Sequence, residues 1–75
     1  MEERIRSIIY SIFRKYGSDK RSDTQFRIER ILTLCMNDIA CHPGLEPELD
    51  TEEKTRYFIM QTILDDISVA RIKRL

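Results

Sequence analysis

Cys35, Asp38, Cys41 and His42 are the residues of this 75-residue chain whose types could hold a metal ion or attack a substrate. A structural zinc site takes four well-spaced ligands, commonly as paired Cys-x-x-Cys or Cys/His sets, and that pattern is absent. On a helix, the step from Cys35 to Cys41 turns the second thiol about 240° from the first, which rules against a shared ion or an intrahelical disulfide. Cys35 also falls on an apolar stripe, where a cysteine behaves as a small hydrophobe. The sequence therefore predicts no metal and no cofactor.

Nucleophilic catalysis needs a base within hydrogen-bond reach of the nucleophile and a third group to orient that base. His42 is the only histidine, and it directly follows Cys41 and precedes Pro43. That placement marks the end of a helix, where a cation favours the negative end of the dipole. Asp65 and Asp66 are adjacent, so on a helix they point about 100° apart and solvate an outer face rather than share a proton. The chain reads as a non-enzyme.

Basic side chains offer a different chemistry. Arg14, Lys15, Lys20, Arg21, Arg27 and Arg30 gather around the first polar connection and could contact phosphates. Against this, Lys+Arg and Asp+Glu are equal at 13 each, which removes the overall attraction to nucleic acid or anionic lipid. The connections are also longer than the tight turn of a helix-turn-helix. A small nucleic-acid-binding regulator is accordingly the alternative reading, with solvation of an outer face as the ordinary use of these charges. Their distribution is uneven: residues 1–30 hold eight basic and five acidic side chains, whereas residues 31–70 hold two basic and eight acidic ones.

Three amphipathic stretches must position all these groups. In the first, about residues 2–16, Ile5, Ile8, Ile9, Ile12, Phe13 and Tyr16 recur at helical spacing, between an acidic first turn and Gly17. In the second, about 23–41, the stripe is Ile28, Ile31, Leu32, Cys35, Met36 and Ile39; Ser22 with Gln25 has the form of a capping box, and Asp23 can pair with Arg27. The third, about 51–73, is the longest. Its main stripe is Tyr57, Met60, Ile63, Leu64, Ile67 and Ala70, with Asp50 and Glu53 as a second capping box and Glu52 placed to pair with Arg56. Between the last two stretches, Pro43-Gly44 suits a type II turn, and Leu45 and Leu49 are expected to fold back over the bundle.

The expected architecture is all-α, a single domain over residues 1–75 forming an antiparallel three-helix bundle with a longer C-terminal helix. A chain this short buries only enough apolar surface to offset narrowly the entropy of ordering, so self-association helps it. The longest apolar run, Tyr57 to Met60, is far below the roughly 20 residues that span a bilayer. The opening Met-Glu-Glu-Arg does not resemble a secretory leader, and a cytoplasmic chain that does not bind membranes is expected.

Five apolar residues lie off the main stripes: Phe26 and Leu34 in the second helix, and Phe58, Val69 and Ile72 in the third. Together with an overhanging long helix they predict a protein interface, serving a homodimer or another protein, and hence a small interaction or regulatory protein. Tyr10, on the polar side of the first helix, joins them with less weight.

Overall fold

The computed structural model describes residues 1–15 and 22–73, and the side chains of residues 22, 23 and 70–73 lie outside that description. Four helices follow in chain order: α1 (Glu2–Lys15), α2 (Ser22–Cys41), α3 (Leu45–Glu48) and α4 (Glu52–Lys73). Among the described residues there is no strand, and no helix is long and apolar enough to cross a membrane. The three long helices each touch the other two. At 1.5 Å per residue α4 is about 33 Å long, which matches the longest dimension of the molecule, 33 Å, while the shortest is only 16 Å.

The core follows the apolar stripes of α1 and α2. Ile5, Ile8, Ile9 and Ile12 are buried from α1, and Ile28, Ile31, Leu32, Cys35 and Ile39 from α2, with Phe13 and Met36 half-buried beside them. Full burial of an isoleucine contributes about 1.5–3 kcal/mol, so these two stripes carry most of the apolar stabilisation. Glu2 and Glu3 in the first turn of α1 and Arg14 and Lys15 in its last turn complement the helix dipole. Tyr16, the Gly17 stop, the Ser22 cap and the Asp23–Arg27 pair lie outside the described residues or side chains.

The link between α2 and α4 departs from expectation in two ways. Gly44 has φ −79° and ψ −7°, and the Leu45 amide donates to the His42 carbonyl at 2.9 Å. Those angles belong to a type I turn rather than type II, because the turn runs directly into the right-handed conformation of α3. α3 itself escapes a periodicity reading because it is a single turn, and Pro47 is tolerated there because a first-turn amide needs no intrahelical acceptor. Leu49 is buried and Leu45 half-buried, so the link does fold back against the core. Arg4 secures it, donating from Nη1 to the Leu49 carbonyl at 2.9 Å.

Capping at the start of α4 is displaced by one residue. Thr51 Oγ1, rather than the Asp50 side chain, accepts from the Lys54 amide at 3.2 Å, while Asp50 Oδ1 pairs with Lys54 Nζ at 3.1 Å. The hydrogen bond from Lys54 holds the Asp50 carboxyl below its usual range. Arg56 and Glu52 approach to 3.5 Å as the spacing predicts.

Candidate interaction surface

The inward face of α4 is the main correction to the sequence reading. Thr55 and Ile59 are fully buried, and Thr62 and Asp66, one and two turns further along the same face, are half-buried. Of the stripe expected to face the core, Met60 and Ile63 do pack against it, but Tyr57, Leu64 and Ile67 are 68%, 51% and 46% exposed. The helix carries apolar residues nearly all round, so its periodicity could not fix its rotation. Polar contacts line the face that is buried.

Three of them are visible. The Thr55 hydroxyl lies 3.2 Å from the Leu49 carbonyl and 3.0 Å from the Thr51 carbonyl. Asp66 Oδ1 meets Arg30 Nη2 at 2.9 Å across the α2–α4 contact. Once Thr55, Ile59 and Asp66 point inward, Tyr57 and Leu64 must point outward, because they lie about 140–180° around the helix from Ile59 and Asp66.

Beside this outward stripe, an open groove of about 880 Å³ runs between α3 and α4, lined by Leu45, Leu49, Tyr57 and Phe58 with Glu48, Glu53 and Lys54 at its rim. A second groove of about 580 Å³ lies on the other side of α3, lined by Asp38, Cys41, His42, Leu45, Glu48 and Phe58 among others. Phe58 borders both grooves and packs half-buried against the core, so it forms a wall rather than a projecting contact.

The remaining interface candidates divide between two helices. Val69 is exposed near the end of α4, and the Ile72 side chain lies outside the description. Phe26, 68% exposed, stands about 180° around α2 from buried Cys35, and Leu34 is exposed on a flank of the same helix. Tyr10 is accounted for by internal packing: it is half-buried against the core and its hydroxyl donates to Gln25 Oε1 at 3.0 Å. The Gln25 amide is thus drawn toward α1, where Arg6 also pairs with Glu29 and has its pKa raised by that bond.

Of the basic cluster, Arg14, Lys15 and Arg27 are exposed, and Arg30 is drawn onto Asp66 of α4. Lys20 and Arg21 lie outside the described residues. Among the described residues no three His, Cys, Asp or Glu side chains gather as metal ligands would. Cys35 is buried, and burial pushes its thiol pKa up, away from nucleophilic use. Cys41 is exposed, while the neighbouring His42 turns Nδ1 toward the Asp38 carbonyl at 3.1 Å.

No protein-family model, no curated protein and no solved structure matches the chain.

Proposed function

We propose that this chain is a small non-enzymatic interaction protein whose working surface is the outward stripe of α4, and that it self-associates there as a homodimer. The observation that carries the reading is the double-sided burial pattern of α4: Ile59 is fully buried on one side, while Tyr57, Leu64 and Ile67 are exposed on the other. Three large apolar side chains in one stripe, beside an apolar groove, are a contiguous patch of the kind that marks an association site. Scattered single residues such as Phe26 carry no such weight.

In this reading α1, α2 and α4 form an antiparallel three-helix bundle with α3 as a clasp over one end, and the bundle presents α4 on a rigid base. Mutual contact of the three long helices supports it. A regulatory role follows from the same surface, since such a chain acts by occupying a partner rather than by chemistry. Two free cysteines suit a reducing, cytoplasmic setting.

Sedimentation velocity over a concentration series tests the reading. A dimer that Leu64→Glu converts to a folded monomer supports it, and a wild-type chain that stays monomeric throughout contradicts it. Nucleic-acid binding through Arg14, Lys15 and Arg27 is the second reading, favoured by their exposure around the α1–α2 connection.

A further inference from the structure

The groove between α3 and α4 has apolar walls within an acidic stretch of the chain, and from this we infer that it takes a basic segment of a different protein, anchored by an apolar side chain. The inference goes beyond self-association, because Leu64 and Ile67 of the outward stripe do not line the groove. Of that stripe, only Tyr57 borders it.

The walls set the first half of this chemistry. Leu45 of α3 and Leu49 just after it face Tyr57 and Phe58 of α4 across the groove. A groove open along its length cannot surround a small molecule as ligand pockets do. It can accept bulky side chains from a segment laid along it, which is how apolar grooves recognise peptides.

Charge sets the second half. Glu48 and Glu53 line the groove together with Lys54, so the base has to be counted. Lys54 Nζ is held on Asp50 Oδ1 at 3.1 Å, and Arg56 lies 3.5 Å from Glu52. Both bases of the stretch 45–56 are thus matched by neighbouring acids. With five acidic and two basic side chains the stretch carries a net charge of −3, and Glu46, Glu48 and Glu53 are the excess. Two contributions oppose it. Arg4 of α1 donates to the Leu49 carbonyl at 2.9 Å, and the positive end of the α4 dipole adds about half a charge. Together they do not cancel three carboxylates, so a chain of zero net charge has a local negative field beside an apolar groove.

A partner of matching chemistry presents a large apolar side chain flanked by lysine or arginine. Its bases meet Glu48 and Glu53, where rim charges govern encounter rate and salt dependence, and its apolar anchor supplies most of the affinity.

Selection of a random peptide library against the immobilised full chain tests the proposal. Enriched peptides are expected to combine a phenylalanine, leucine or tryptophan with several lysines or arginines. The most enriched one, titrated into the isotope-labelled chain, is expected to shift the amide resonances of Leu45, Glu48 and Phe58 ahead of those of Leu64 and Ile67. Glu48→Gln with Glu53→Gln is expected to weaken it on the order of tenfold at low salt and far less at high salt. Leu64→Glu, which removes the self-association surface, is expected to leave peptide binding in place. No enrichment, or enrichment of acidic or uncharged peptides, overturns the proposal. Shifts centred on Leu64 and Ile67 overturn it by placing the peptide on the outward stripe, and groove shifts on concentrating Leu64→Glu alone overturn it by making a second copy the occupant. Self-association through the stripe is read separately, from the mass of the wild-type chain without peptide.

Discussion

Tyr57 and Ile59 lie two residues apart on α4 and on opposite sides of it: Ile59 is 0% exposed in the core, and Tyr57 is 68% exposed. A two-residue step turns a helix by about 200°, so neither can move without reversing the other. The helix that completes the fold is therefore also the helix that displays an apolar surface.

Glutamate substitution separates the two faces. Ile59→Glu buries a carboxylate with no partner and is expected to unfold the domain, since several kcal/mol of desolvation rivals the whole stability of a chain this size. Leu64→Glu and Ile67→Glu are expected to keep far-ultraviolet circular dichroism and a melting temperature near wild type while abolishing association. Leu34→Glu, on a flank of α2, is expected to change neither property. Loss of helicity in Leu64→Glu would place that residue in the core.

Thr55 is a fully buried polar residue on the inward face of α4. Replacing it by valine keeps the shape but removes the hydroxyl that reaches the Leu49 and Thr51 carbonyls. Thr55→Val is expected to cost about 1 kcal/mol in urea unfolding, with the slope against denaturant unchanged. The size of the loss reports how firmly α3 and α4 are tied. No loss at all would show that the hydroxyl plays no part in orienting the helix.

The two thiols should differ sharply in reactivity. Exposed Cys41 is expected to react with a disulfide reagent at once near pH 8, and buried Cys35 only as the chain unfolds. Because the folded thiol of Cys35 has the higher pKa, its contribution to stability is full below the ordinary thiol value of 9.0 and falls away as pH rises from there through the folded value. Stability measured between neutral pH and pH 10 should fall on that limb, and Cys35→Ala should flatten it. Equal reactivity of both thiols in the folded chain would contradict the placement of Cys35.

Nucleic-acid binding makes a different demand. If Arg14, Lys15 and Arg27 contact phosphates, retention of a duplex or single strand falls steeply with salt and drops when the three are neutralised together. The interaction reading predicts weak retention that is indifferent to these substitutions. A steep salt slope abolished by the triple variant would favour the alternative.

How much of this was legible in the sequence differs between helices. Ile5 to Ile12 and Ile28 to Ile39 each form one apolar stripe opposed by charge, and their burial follows from spacing alone. α4 has no such contrast. Tyr57, Leu64 and Ile67 make the stronger apolar stripe, yet the buried face is Thr55 and Ile59, with the Leu49 carbonyl at the end of α3 against Thr55 and Arg30 of α2 against Asp66. Arg30 is distant in sequence from Asp66, and α3 is too short to leave a periodic signal. The outward stripe was visible as a pattern, but which side it faced was decided by tertiary contacts.

Molar mass by light scattering across a concentration series, wild type beside Leu64→Glu, tests the central claim most directly. Self-association through α4 predicts a wild-type mass that climbs from the monomer value of 9.0 kDa toward twice that, and a Leu64→Glu chain that stays folded and monomeric. A wild-type mass that remains at the monomer value, or a dimer that persists in folded Leu64→Glu, would contradict it.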